Sequence, residues 1–250
     1  MQKRPVPAVD VALPVLNEEK VLRASVARVL EHARDLSLEM TLTIADNGST
    51  DGTETIARDL AASHPSVRYL RHDRPALGAA LQKAWSTADT PLLGYMDVDL
   101  ATDLRHLNEA LALLASGEHD MVVATRLAPG SRVVNRRLLR TVTSLTYNAL
   151  LRRRLRYPGS DAACGFKFLT RAAWDRIRTN ARLSDGLFFG SEIAVRAFAL
   201  GLSVREIPAV WTDGRDSRIR VARSTIDFWR EIGRLGQELT DRTPDRKKGF

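Results

Sequence analysis

The chain reads as an α/β protein, a mostly parallel sheet flanked by helices. Two observations predict this. Strand-length apolar runs alternate with stretches of helical spacing through residue 125. In addition, 250 residues with 44% hydrophobic and 27% charged content bury a substantial core and match neither a disordered tail nor a fibrous repeat.

Strands are expected at Val9 to Leu13, Met40 to Ala45, Val67 to Leu70, Pro91 to Met96 and Met121 to Ala124. Between the first two, Val21, Leu22, Ser25, Val26, Val29 and Leu30 keep one helix face apolar. Further helices are expected around Ile56 and Leu60, over Leu77 to Trp85, and over Leu104 to Leu114. Such alternation implies right-handed connections, with ligands held at the carboxyl ends of strands. Beyond Ala124, Pro129, Gly130 and Ser131 break regular structure within Arg126 to Asn135. Arg136 to Arg156 then forms a basic amphipathic helix, its leucines set among Arg136, Arg137, Arg140, Arg152, Arg153 and Arg154. That helix either packs on the core with a solvated face or lies on anionic lipid. Short elements follow at Gly165 to Leu169, Ala172 to Ile177, Glu192 to Ala199 and Val204 to Ile207. Ser224 to Leu239 is a last helix, and 241–250 is a polar tail expected to be mobile. No linker separates independent domains, and residues 1–240 read as one domain.

Thirty-eight Lys and Arg against thirty Asp and Glu leave a net charge of +8, which favours an anionic partner. The single cysteine, Cys164, excludes an internal disulfide and a Cys-rich metal cluster, so a reducing compartment is expected. Met1 to Asp10 carries Lys3 and Arg4 without a following apolar stretch and does not read as a signal peptide. No window approaches the ~18 apolar residues of a membrane span, so any membrane is met at its surface.

Three segments after strands carry candidate chemistry. In Leu13 to Glu19, Asn17 or the acidic pair Glu18 and Glu19 would cap a helix. In Ala45 to Thr53, Gly48 and Gly52 permit a sharp turn; Asp46 would accept from a base or ribose hydroxyl, and Asp51 or Thr53 would cap the next helix. In Leu92 to Asp99, a strand delivers Asp97 and Asp99 at i and i+2, on one side of the sheet. Two such carboxylates either both face water or hold a hard dication, Mg²⁺ or Mn²⁺, against substrate phosphates.

These motifs, in this order, resemble the family 2 glycosyltransferases, whose GT-A fold joins a nucleotide-binding half to an acceptor-binding half; the resemblance implies that these are residues 8–125 and 126–240 here. Ser160 to Arg171 also resembles the D-x-x-C-G-F-K-x-x-x-R segment of polyprenyl-phosphate (dolichyl-phosphate) hexosyltransferases, nearest the glucosyl branch. The resemblance covers about residues 8 to 215. It implies that Pro14, Glu18, Asp46 and Asp97 bind the nucleotide-sugar donor, UDP-glucose in preference to GDP-mannose. It implies that Asp97 and Asp99 hold Mg²⁺ or Mn²⁺ against the diphosphate, and that Asp99 and Arg126 are catalytic, Arg126 meeting phosphate. Arg140 and Ser144 would hold the phosphate of a polyprenyl phosphate acceptor; a hydroxyl four residues on shares the helix face with the guanidinium.

The sequence departs from that pattern at three places. Ala101 stands where many relatives have a Gln near the metal, with Asp103 as the substitute within the chain. Asn47 replaces a second acidic residue after Asp46, and Gly190 replaces an Asp two residues before Glu192. Loss of that carboxylate is tolerable for a phosphate acceptor. A phosphomonoester has a second pKa of about 6 and is already a nucleophilic dianion at neutral pH, so it needs no general base. A hydroxyl acceptor would require one from Asp161, Asp185 or Glu192. The expected reaction is inversion at the sugar by direct displacement. The expected location is the inner face of the cytoplasmic membrane, held peripherally through the basic helix and by a membrane-anchoring partner, each basic residue near an anionic leaflet adding roughly 1 kcal/mol. Rival readings are weaker in the residues. A nucleotidylyltransferase would carry a Gly-rich basic loop that Leu13 to Glu19 lacks, and no groove-reading motif points to nucleic acid. A basic peripheral protein with a degenerate transferase fold is the non-catalytic alternative.

Overall fold

The computed structural model describes residues 6–136, 138–213 and 221–241. In chain order the elements are β1 (Val9–Val15), α1 (Leu22–Asp35), β2 (Met40–Asp46), α2 (Thr53–Ser63), β3 (Val67–Arg71), α3 (Leu77–Ser86), β4 (Leu92–Met96), α4 (Arg105–Ala115) and β5 (Met121–Thr125). They continue with β6 (Arg132–Val134), α5 (Leu138–Leu155), β7 (Phe166–Thr170), α6 (Arg171–Arg178), α7 (Phe189–Ala199), β8 (Val204–Pro208), β9 (Val210–Thr212) and α8 (Val221–Asp241). Each expected strand and helix is present, with ends shifted by a few residues. The short pair β6 and β9 was not expected, because three-residue strands leave no periodic signal. Of the 241–250 tail, all but Asp241 lies outside the described residues, as does Arg137 of the basic helix.

The main sheet has the order β3-β2-β1-β4-β7-β5-β8, and β6 pairs with β9 in a separate parallel ribbon. All pairings in the main sheet are parallel except those of β7, which runs antiparallel between β4 and β5. Gly94 makes that insertion feasible. It sits opposite Phe168, and a Cβ on residue 94 would lie 2.1 Å from the Phe168 ring.

Strand alternation divides the core between the two faces. Val9, Val11, Leu13 and Val15 of β1 pack with α1, α2 and α4, whereas Ala12 and Ala45 face Leu81 and Trp85 of α3. On that second face Trp85 stacks edge-on against Trp174 at 5.0 Å, and α5, α6, α7 and α8 complete the layer. Pro14 lies within β1, where pairing with β2 continues to Val15 but pairing with β4 stops at Ala12, so its missing N–H leaves no bond unmade on the β4 side.

Glu192 and Asp10 are among the charged groups buried within these layers. Glu192 of α7 accepts from Arg196 (2.7 Å), Arg234 of α8 (2.9 Å) and the Ser184 N–H (2.7 Å), which locks α8 to α7. Asp10 in β1 accepts from Arg68 (2.9 Å) and Thr43 (3.1 Å), while its Oδ1 has no partner. Burial pushes the Asp10 carboxyl up to about 6, against the opposing effect of Arg68. Because the folded value exceeds the unfolded one, the Asp10 contribution is full below pH ~4 and lost as pH rises through about 6. The stability of wild type relative to Asp10→Asn is therefore expected to fall over that interval, by up to about 3 kcal/mol. Urea unfolding of both proteins across the range checks this; a difference independent of pH would contradict it.

Candidate active site

The site forms where the carboxyl ends of β1, β2, β4 and β5 meet, the position that a parallel sheet offers to ligands. After β1, Asn17 takes a left-handed backbone (φ 59°), and its Oδ1 accepts from the Thr50 N–H at 2.7 Å. The Asn17 N–H donates to Ser49 Oγ (3.0 Å), the Glu18 N–H to Thr53 Oγ1 (2.8 Å), and the Gly52 N–H to Glu19 (2.8 Å). The loops after β1 and β2 are thus one cross-braced unit. Neither Asn17 nor an acidic side chain caps α1; instead the Glu18 carbonyl accepts from Val21 and Leu22. At α2 the N-cap is Gly52 rather than Asp51 or Thr53, and Asp51, just before it, accepts from the Thr53 N–H at 3.0 Å. Gly48 is required by its φ of 86°, and a Cβ there would strike the Arg74 carbonyl carbon at 2.9 Å.

Asp46 is fully buried and accepts from the Ser49 N–H (2.9 Å), Tyr69 Oη (2.9 Å) and Arg71 (3.1 Å). Its carboxylate therefore builds the floor of the loop. Asn47 does similar work, its Oδ1 accepting from the Ala76 N–H at 3.0 Å.

Asp97 and Asp99 lie one step further along the sheet. The reading that both project from a strand needs correction: β4 ends at Met96, and the pair is set by a turn. In that turn the Leu100 N–H donates to the Asp97 carbonyl (3.0 Å), and Leu100 is forced to φ 53°, a conformation that strains a non-glycine residue. The Ala101 N–H holds Asp99 Oδ1 at 3.0 Å. Gly165 at the start of β7 makes room for Asp97, since a Cβ there would lie 2.2 Å from both of its carboxylate oxygens. Burial, then repulsion from Asp99, push the Asp97 carboxyl up to about 7, while Arg126 and Lys167 oppose this. Asp99 is also raised, mainly by burial, with a contribution from Asp213. Two crowded carboxylates fit a hard divalent cation. Among the described residues no third carboxylate, His or Cys completes a protein cage, which suits a cation taking its other ligands from phosphates and water.

Asp103 does not substitute for the absent Gln. Its carboxylate is taken by Arg105 at 2.8 Å, and it lines a shallow surface depression with Arg28, Glu31 and His32. Gly190 also has a local cause. A Cβ at that position would lie 2.3 Å from Tyr95 Oη, and Tyr95 in turn receives a hydrogen bond from the buried Lys167 ammonium at 3.4 Å. Burial lowers Lys167 to about 8. A carboxylate is thus replaced by a packed tyrosine–lysine pair.

The remaining candidate residues gather beyond β5. Arg126 grips the fully buried Asp161 through Nε (2.7 Å), Nη2 (2.9 Å) and its own N–H (3.1 Å). Burial alone would raise the Asp161 carboxyl, but the charge and bonds of Arg126 bring it below the ordinary range. Arg140 pairs with Asp213 just after β9, and Ser144 Oγ accepts from Arg136 at 2.5 Å. Arg126 and Arg136 both lie over the Trp211 ring, at 5.5 and 5.6 Å from its centroid. Sequence reasoning missed Arg136 and Asp213 as site residues. Arg136 stands four residues before Arg140, a visible spacing, whereas Asp213 is brought in by the β6–β9 ribbon, where its N–H donates to the Val134 carbonyl (3.0 Å).

On α5 the basic-helix reading divides in two. The carboxyl half is core: Asn148, Leu151 and Leu155 are buried. The amino half exposes its leucines, Leu138 by 84% and Leu139 by 74%, with Val142 and Leu145 beside them. Among the described residues no helix is long and apolar enough to cross a membrane.

Braced loops at the ends of β1 and β2, a carboxylate pair in the turn after β4, and arginines acting on that pair are the arrangement of a glycosyltransferase of the GT-A class. Residues 10–178 match Glycosyl transferase family 2, and the chain belongs to that family. It is 34% identical over 237 residues to glycosyltransferase AglD of Haloferax volcanii, covering 94% of this chain but 38% of that longer protein. It is 29% identical over 252 residues to the polyprenol monophosphomannose synthase of Mycolicibacterium smegmatis, covering 93% of this chain and 90% of the synthase. In fold it resembles glucosyl-3-phosphoglycerate synthase from Mycobacterium tuberculosis in complex with UDP, with a TM-score of 0.68, 20% identity, and coverage of 98% and 83% of the two chains. That synthase has also been solved with Mn²⁺ and UDP-glucose.

Proposed function

We propose that this glycosyltransferase moves a hexose from a nucleoside diphosphate to a polyprenyl monophosphate, with inversion at the sugar. One observation carries the reading. Arg126 acts on Asp97 and Arg140 on Asp99, with Arg136 close to both arginines, while Asp161 and Glu192, two of the three candidate bases, are committed to arginines. The third, Asp185, is exposed on the loop before α7. Such a site suits an acceptor that brings its own negative charge and needs no base.

Asp97 and Asp99 would hold Mg²⁺ or Mn²⁺, which supplies positive charge to the departing diphosphate. The braced loops carrying Pro14, Glu18 and Asp46 shape the nucleotide pocket. Arg126, oriented by Asp161, adds fixed positive charge beside Asp97. Arg136, Arg140 and Ser144 align the incoming phosphate, whose oxygens suit paired guanidinium groups. The exposed leucines of α5, flanked by these arginines, would seat the protein peripherally on an anionic membrane, where the lipid tail of the acceptor resides. The segment Asp161 to Arg171 favours UDP-glucose as donor, and the name of the mycobacterial relative favours a mannosyl donor.

The test is release of nucleoside diphosphate from UDP- and GDP-hexoses with Mg²⁺ or Mn²⁺, using short polyprenyl phosphate in anionic or zwitterionic vesicles. Release is expected to require both the cation and the lipid phosphate, to proceed faster on anionic vesicles, and to fail with polyprenol. A preference for polyprenol, or release indifferent to lipid, would overturn the reading.

A further inference from the structure

Both groups assigned to the acceptor phosphate are already engaged within the protein. Arg140 on α5 is paired with the Asp213 carboxylate, and Ser144 Oγ accepts from Arg136 Nη2 at 2.5 Å. Arg136 Nη2 also reaches the Arg140 carbonyl at 3.2 Å, while its buried Nε has no partner among the described residues. Asp213 is nearly enclosed, with 9% of its side chain exposed, and its backbone is fastened to β6 through Val134. Asp213 and Arg140 both act on the carboxylate of Asp99. The Asp213 carboxylate thus holds the acceptor guanidinium within electrostatic reach of Asp99.

We infer that Asp213 is an acceptor-specificity residue: a carboxylate that occupies Arg140 and yields it only to a dianionic phosphomonoester. The inference rests on the acceptor reading of Arg140 above. A carboxylate offers one negative charge to the guanidinium. A monoanion that displaces it gains nothing in charge and leaves Asp213 uncompensated beside Asp99. A phosphomonoester dianion brings a second charge and three acceptor oxygens, enough to engage Arg140, Arg136 and Ser144 together. The carboxylate therefore penalises phosphodiester and hydroxyl ligands more than phosphomonoesters, a selection made by competition within the site.

The experiment measures equilibrium binding of a short polyprenyl monophosphate and of its monoanionic methyl phosphodiester to the full chain. Asp213→Asn is nearly isosteric and keeps the backbone bond to Val134; circular dichroism confirms its fold. Wild type is expected to prefer the monoester, and Asp213→Asn to shrink that preference about tenfold, mainly by tighter diester binding. Asp213→Glu is expected to restore the preference, which a merely structural role for the side chain would not predict. An unchanged ratio in Asp213→Asn overturns the inference. Arg140→Ala tests the underlying reading separately. Weakened monoester binding in that variant, together with an unchanged ratio in Asp213→Asn, leaves Arg140 as the clamp and removes Asp213 as the selector. Undiminished monoester binding by Arg140→Ala removes the clamp itself.

Discussion

Replacing Asp99 by Asn is expected to lower kcat/KM for sugar transfer by about 10³-fold, the loss of several kcal/mol of charge stabilisation at the leaving diphosphate. The fold is expected to survive, because Asn is nearly isosteric and retains an oxygen for the Ala101 N–H. Asp97→Asn sharpens the test. Burial and the neighbouring Asp99 make the ionised form of Asp97 costly, so a neutral amide relieves both terms. That variant is therefore expected to lose transfer while its Tm rises. Binding of Mn²⁺, followed by electron paramagnetic resonance in both variants, separates loss of the cation from loss of the fold. Near-wild-type transfer by Asp99→Asn, or a lowered Tm in Asp97→Asn, would contradict this account of the pair.

The second large effect concerns Arg126 and Asp161. Removing one partner of a buried, doubly bonded ion pair leaves the other uncompensated, at a cost of about 3–5 kcal/mol. Arg126→Ala is expected to be destabilised by that amount in urea unfolding and to lose transfer. Arg126→Lys keeps the charge but not the fork that meets both Asp161 oxygens, and is expected to recover part of the stability. The double variant Arg126→Met with Asp161→Leu divides structure from function. It is expected to regain stability, because a matched apolar pair replaces the ion pair, and to remain inactive. Activity in the double variant would show that Arg126 serves the fold alone.

Much of the architecture was legible in the sequence because its signals are local. The apolar runs at Val9 to Leu13 and Met121 to Ala124 report strands buried on both faces, and the helical spacing of Leu22, Val26 and Val29 reports burial of one helix face, whatever the neighbours are. Asp97 and Asp99 were legible because the carboxyl ends of parallel strands are where ligands bind. The antiparallel course of β7 was not, since it depends on the absence of a side chain at Gly94 opposite Phe168, a relation between residues far apart in the chain. The same holds for Asp103, which sequence proximity placed near the cation and which Arg105 and the turn at Leu100 direct elsewhere.

The sequence alone determined the order of strands and helices, the carboxylate pair after the fourth strand and the arginine-rich helix, together with the family they resemble. Each of these is written within a single turn or one hydrophobic period. Only the tertiary structure decided which charges meet: Arg126 with Asp161, Arg140 with Asp213, Arg136 with Ser144, and Tyr95 against Gly190. An arginine in so basic a chain carries no mark of its partner. Charges taken out of water must find a counterion or hydrogen bonds, and which one lies within reach is set by how the sheet and the β6–β9 ribbon bring distant segments together.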